Sequence, residues 1–244
     1  MITLALYCHN FQKRLCWMLS SLLDQTVKPR VVVSCMQDNG TPKTEDVVGL
    51  FRDQLGMDIE LDPYNDITVF EQRGIVRNNQ LESCKTEWLL FADCDMVYHP
   101  AFFESLYGRL DEFPHDAVIC SGRKSCHDVA IQDIDKLVNE NVKTKPVYVV
   151  GSFDKIIPMT PVRRACGGAG FFQLIHVDAA DGYYVQSAID HGWLDGGIWK
   201  TYSDHVFRRR VGKLHNLPRW FWRNQRHVNH FRDNQFDKHL DDQR

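Results

Sequence analysis

Trp88-Leu89-Leu90-Phe91-Ala92-Asp93-Cys94-Asp95-Met96-Val97 is an apolar run interrupted by two carboxylates one residue apart. A run of this kind reads as a strand buried on both faces that turns acidic where it leaves the sheet. In a strand, residues i and i+2 point to the same side. Asp93 and Asp95 are therefore expected to offer oxygens to one hard divalent cation, Mn2+ or Mg2+, just past a sheet edge. Such a cation keeps few protein ligands and takes the rest from water and substrate phosphates. An isolated Asp-x-Asp serves as well for a solvated strand end, so its meaning depends on its surroundings.

Upstream, strand and helix signals alternate. Residues 2–7 read as a short strand, and Leu15, Met18, Leu19, Leu22 and Leu23 follow the i, i+3, i+4, i+7, i+8 spacing of a core-facing helix. Arg30 to Cys35 is β-branched and apolar, which completes a βαβ opening. The turn-rich Gln37-Asp38-Asn39-Gly40-Thr41-Pro42 leads to a helix near 45–55, a strand at 58–61 and a helix near 74–84. Downstream, Pro100 is placed as the first residue of a helix whose apolar face is Phe102, Phe103, Leu106, Tyr107 and Leu110. Strands are expected at 117–121, 147–151 and 170–177, with a helix near 129–141 and another around Val206, Phe207 and Val211. Alternating strands and helices predict an α/β/α sandwich with a mostly parallel central sheet.

Sheets of this kind bind nucleotides outside the carboxyl ends of their strands, and several motifs gather there. Leu6-Tyr7-Cys8-His9-Asn10 ends the first strand, Gln37-Asp38-Asn39-Gly40-Thr41 follows the second, and Gly74-Ile75-Val76-Arg77-Asn78 opens a helix. With Phe91-Ala92-Asp93-Cys94-Asp95, this set resembles family 2 glycosyltransferases of the GT-A fold. The resemblance implies a Rossmann-like single domain over 1–244. Residues 1–100 would form the nucleotide-sugar half, 101–215 the acceptor half, and 216–244 a basic aromatic segment. It also implies that Tyr7, Asn10, Asp38, Arg77 and Asp93 contact the nucleotide and that Asp93 and Asp95 hold the metal.

The likeness continues more loosely. Gly167-Gly168-Ala169-Gly170-Phe171-Phe172 resembles the glycine-rich acceptor loop, and Tyr202-Ser203-Asp204-His205 resembles the Glu-Asp motif, with Ser203 in place of Glu. That implies Asp204 as the general base of an inverting transfer. His227-Val228-Asn229-His230 resembles the segment carrying a late histidine ligand, which leaves His227 and His230 as alternatives. The implied function is metal-dependent transfer of a sugar, UDP-linked by preference, to an acceptor hydroxyl.

Composition sets the outer bounds. The chain has 244 residues, 43% hydrophobic and 25% charged, as a water-soluble folded domain does, and no apolar run approaches the roughly 18 residues of a membrane span. The eight cysteines show no C-x-x-C pair and read as reduced. The expectation is a cytoplasmic protein, with peripheral contact at the inner face of a membrane left open. Net charge is -3, yet 205–232 contains no Asp or Glu and eight Arg or Lys, so charge is segregated. Arg219-Trp220-Phe221-Trp222-Arg223 suits a membrane interface, a lipid-linked glycan or nucleic-acid phosphates. A nucleic-acid or membrane binder with a degenerate nucleotide fold is the alternative to an enzyme, as is transfer onto nucleic acid. A sugar-phosphate nucleotidyltransferase would need a glycine-rich basic loop after Leu6, where Tyr7-Cys8-His9-Asn10 stands instead.

Overall fold

The first strand, β1 (Ile2–Cys8), has nearly every residue buried because it has a partner on either side and helices over both faces. The computed structural model describes residues 1–36, 42–120, 123–127, 146–155, 163–164, 172–182, 214–218, 220–221 and 224–228. β1 runs parallel to β2 (Arg30–Met36) and to β4 (Trp88–Asp93), with Leu4 opposite Val31 and Leu90. Between β1 and β2, helix α1 (Gln12–Leu23) buries Leu15, Met18, Leu19 and Leu22, as the spacing predicts. The helix expected over 45–55 starts as α2 (Thr44–Gly49) and finishes as one π-helical turn, Leu50–Gln54.

β3 (Ile59–Tyr64) runs three residues past its expected end, because its register with β2 continues to Met36 opposite Tyr64. Pro63 is tolerated there since β3 is an edge strand. A short helix that periodicity does not reveal, α3 (Ile67–Glu71), follows. Its Asp66 cap accepts the Thr68 N–H at 2.8 Å. Helix α4 (Arg73–Glu82) then returns the chain to β4.

After β4 come β5 (Met96–Tyr98) and α5 (Phe102–Tyr107). Pro100 does not open α5; Ala101 is the residue before its first turn, and Pro100 uses its carbonyl to accept the Thr26 N–H. β6 (Val118–Cys120), β9 (Phe172–His176) and β10 (Leu214–Asn216) complete a seven-stranded sheet of order β10-β6-β9-β4-β1-β2-β3. β9 is antiparallel to both its neighbours, while the other pairs are parallel. The sheet is thus mixed and mostly parallel, as expected. A second sheet of order β5-β11-β7-β8 adds β7 (Arg123–His127), β8 (Arg163–Arg164) and β11 (Gln225–Val228).

Residues 147–151 are not the strand their β-branched composition predicts. Their backbone is claimed by α1 instead: Val149 N–H donates to Ser20 Oγ at 2.9 Å and Gly151 N–H to Asp24 Oδ2 at 3.1 Å. Gly151, at φ 62, then turns the chain into a single helical turn, Ser152–Lys155. The helices expected at 129–141 and around 206–211 and the glycine-rich 166–170 lie outside the described residues. No described helix is long and apolar enough to cross a membrane.

Candidate functional site

The chain steps from β1 outward through β2 to β3, then returns to the other side of β1 to lay down β4. The crests of β1 and β4 therefore flank the switch point where open α/β sheets bind ligands. Tyr7 and Asp93 are partners in register there. β4 ends at Asp93, and Cys94-Asp95 is a two-residue turn into β5. The two carboxylates are consequently not successive same-face strand positions, as the sequence suggested. Asp93 is half-buried at the strand tip, and Asp95 is buried in the turn at 3% exposure. Cys94 between them is a free cysteine in hydrogen-bond contact with the Cys8 thiol. That contact, burial, and then the charges of Cys8, Asp95 and Asp93 push its own thiol well above the usual cysteine range. It serves as an uncharged plug tying the turn to β1. Tyr98, fully buried at the end of β5, has its hydroxyl pushed up first by burial and then by the fields of Asp93 and Asp95.

This donor set fits a hard divalent cation. Two carboxylates supply oxygens, and no three His, Cys, Asp or Glu among the described residues gather into a closed protein cage. Carboxylate oxygens are the donors such a cation takes, and it draws further ligands from phosphates and water. The second sheet runs alongside this turn: β11 pairs antiparallel with β5, and the His227 backbone is opposite Met96, the residue after Asp95.

Arg77 lies in α4 and is 4% exposed, which excludes an ordinary solvated helix position. Its guanidinium sits 5.1 Å over the Phe91 ring and donates to Gln173 Oε1 at 3.2 Å. Phe91 is two residues below Asp93, and Gln173 is its partner in register on β9. A buried guanidinium is thereby held against the strand that carries the carboxylates. Three residues along α4, Gln80 Nε2 donates to the Leu6 carbonyl at 3.0 Å and to Ser34 Oγ at 2.8 Å. Ser34 Oγ in turn donates to Asp62 Oδ2 at 2.7 Å. These bonds brace β1, β2 and β3 below their crests.

Residues 3–131, more than half of the chain, match the sequence pattern of glycosyl transferase family 2. The chain belongs to that family. No curated protein matches it in sequence. Among solved structures, S. aureus TarS is similar at TM-score 0.58 and 14% identity, over 93% of this chain and 36% of TarS. TarS 1-349 in complex with UDP-GlcNAc is similar at 0.56 and 15%, over 95% of this chain and 59% of that one. The mannosyltransferase PcManGT from Pyrobaculum calidifontis, in complex with GDP-Man and Mn2+, is similar at 0.55 and 10%, over 97% and 59%. This chain spans less than two thirds of each of them. At such identities the likeness is one of fold.

In this family 2 chain the β1 crest carries a packed aromatic group. Tyr7 stacks on Phe70 with ring centroids 4.3 Å apart and 12° between planes, and its hydroxyl donates to the Phe70 carbonyl at 2.9 Å. Tyr64 and the edge of His9 close on the same Phe70 ring at 5.3 and 5.8 Å. Burial holds the Tyr7 hydroxyl well above the ordinary tyrosine range, against the opposing pull of Arg73. Asn10 is exposed at φ 59, in the left-handed region that asparagine tolerates better than most residues.

The structure thus gathers Tyr7, Asp93, Asp95 and Arg77 around the switch point, with Asn10 on the loop leaving β1 and the His227 backbone beside β5. Asp38, Asp204 and His230 lie outside the described residues. Sequence reasoning missed Phe70, Arg73, Gln80 and Gln173. For Gln173 a signal existed: an amide in the middle of Phe172–His176, a strand of otherwise buried residues, needs partners inside the protein. Phe70 and Arg73 flank a break between two helices whose spacing carries no periodicity.

Proposed function

We propose that this chain is a metal-dependent, inverting glycosyltransferase that moves a sugar from a nucleotide-sugar donor, UDP-linked by preference, to an acceptor hydroxyl. The observation that carries the reading is the Asp93-Cys94-Asp95 crest next to Tyr7 at the switch point. Tyr7, Asn10 and Asp38 would bind the nucleoside. Asp93 and Asp95, with His227 or His230, would hold Mn2+ or Mg2+, which when bound supplies Lewis-acid stabilisation to the leaving diphosphate. Arg77 adds fixed positive charge beside that strand, of the kind that stabilises charge developing in a transition state. Asp204 would take the proton from the acceptor hydroxyl as the new bond to the anomeric carbon forms. The bond from that carbon to the diphosphate breaks in the same displacement, which inverts the centre and releases a nucleoside diphosphate. TarS complexes with UDP and UDP-GlcNAc and the GDP-Man complex with Mn2+ lend the donor class support by analogy.

Hydrolysis of a panel of UDP-, GDP-, CMP- and dTDP-sugars, each with and without manganese, tests this. Metal-stimulated release from one member is expected, and it should be lost in Asp95→Ala. Wild-type turnover by Asp204→Ala would remove the base assignment. The charge-segregated 205–232 segment favours an acceptor on an anionic carrier. Flotation with anionic liposomes and a gel shift with single-stranded DNA, each at two salt concentrations, separate a lipid carrier from a nucleic acid.

A further inference from the structure

Tyr7 is a ring with one face taken. Phe70 lies nearly parallel against it at 4.3 Å and is itself fully buried, so nothing from solvent can stack on that side. The Arg73 guanidinium lies over the Tyr7 ring with Cζ 5.2 Å from its centroid. A face already in ring-to-ring contact has no room for a guanidinium, which leaves Arg73 the opposite one. It also bonds to the Tyr7 hydroxyl, which donates onward to the Phe70 carbonyl. Across the ring the order is Phe70, Tyr7, Arg73, with Phe70 buried and Tyr7 and Arg73 both half-buried. A ligand at the β1 crest that reaches the half-buried Tyr7 therefore has a cation beside it.

The position along the sheet says which part of a ligand that is. Tyr7 is level with Asp93 on the adjacent strand, and neighbouring strands are about 4.8 Å apart. Arg73 is also the first residue of α4, where backbone N–H groups point outward and the helix dipole is positive. Arg77, one turn later, faces the same side of the sheet at Phe91. Two guanidinium groups thus flank the tip of β4 from β1 and from below, and Glu71, at the end of α3, acts on the Tyr7 hydroxyl with the opposite sign to Arg73.

We infer that Arg73 is a diphosphate-binding residue of the donor site, packed over Tyr7 as the structure has it and turned to the phosphates of a nucleoside diphosphate when the donor binds. The inference rests on the proposed nucleotide-sugar function and adds to it a residue that the family resemblance did not supply. A planar guanidinium suits this role because it can leave a π-face and engage two phosphate oxygens at once.

The test compares affinities of the full chain for the nucleoside, its monophosphate and its diphosphate, using the base the donor panel identifies, in wild type, Arg73→Gln and Arg73→Lys. In wild type the diphosphate should bind tightest. Arg73→Gln should weaken diphosphate binding by about 10- to 100-fold, the range of a charge-assisted hydrogen bond. Nucleoside binding should stay within about twofold, and Arg73→Lys should recover part of the preference. An Arg73 that only packs against Tyr7 would instead weaken all three ligands alike in both variants. Either that pattern or an unchanged diphosphate preference in Arg73→Gln overturns the inference while leaving the donor reading intact. If wild type binds no nucleoside diphosphate of the panel, the donor reading itself fails and this inference falls with it.

Discussion

Gln80 stands on the face of α4 that packs on the sheet, where a leucine would satisfy the helix pattern, yet its amide ties the Leu6 carbonyl to Ser34. Replacing it by leucine keeps the apolar volume but strips those groups of their donor. Leaving buried polar groups without partners costs about 1–3 kcal/mol. Gln80→Leu should therefore lower the urea midpoint with an unchanged m-value, a shift equilibrium unfolding measures directly. Cys16 carries a different expectation. Burial above all pushes its thiol up to about 11, so native protein at pH 8 should leave Cys16 unlabelled by iodoacetamide, and unfolding in urea should expose it. Rapid native labelling of Cys16 would contradict the packing of α1 on the core. At this scale position was legible where residue type coincides with a strand or helix signal, as with Asp93 at the end of β4, Asp95 in the turn after it and Arg77 in α4. It was silent where a side chain acquires its role from a neighbour remote in the chain: Gln173 matters because Arg77 lies 96 positions away and 3.2 Å distant.

Elements show the same division in physical form. α1 announced itself because its apolar stripe repeats over a full dozen residues. β1, β2 and β4 did so because strands buried on both faces must be apolar throughout. Residues 147–151 misled because β-branched composition marks a tolerance for extended backbone and does not name the partner. Here that partner is α1, through Ser20, Asp24 and the bond from the Tyr148 hydroxyl to the Asp24 carboxylate. That bond has a pH signature. The bond to Asp24, then burial, then the Asp24 charge push the Tyr148 hydroxyl from about 10 up to about 12. A proton-bearing group raised in the folded state contributes stability that is whole below its unfolded value and fades as pH climbs through its folded one. The 146–155 segment should accordingly loosen between pH 10 and 12. Thermal melts of wild type should fall over that window more steeply than those of Tyr148→Phe, which starts lower and has no such proton to lose. Parallel curves for the two proteins would break the link between this hydroxyl and the segment's docking.

Across the whole molecule, what the sequence left unread is the second sheet, and the reason is length and separation. β5, β8 and β11 have three, two and four residues, too few for a period. β11 meets β5 across more than 120 positions of chain. Their pairing nonetheless lays residues 225–228 of the charge-segregated segment beside β5. Trp220 stacks on Phe102, Phe221 is buried, Asn224 accepts the His99 N–H, and β11 then runs back along β5 toward Asp95. The crest of β1 to β3 takes no part in that path. Nucleoside contacts and carboxylate geometry should therefore be separable by breaking β11 alone. Arg226 is central in β11, opposite Val97 on one side and Ser125 on the other. A proline at this interior position has no N–H for the ladder and is tolerated only at edges. Arg226→Pro should weaken manganese affinity at least tenfold while binding of the free nucleoside changes by less than about threefold, an expectation for a lost ladder rung in one sheet and an intact second sheet. Titrating manganese and nucleoside separately reads both quantities. Equal loss of the two would mean that the sheets act as one unit, and that β11 supports the β1 crest as well as the Asp93-Cys94-Asp95 turn.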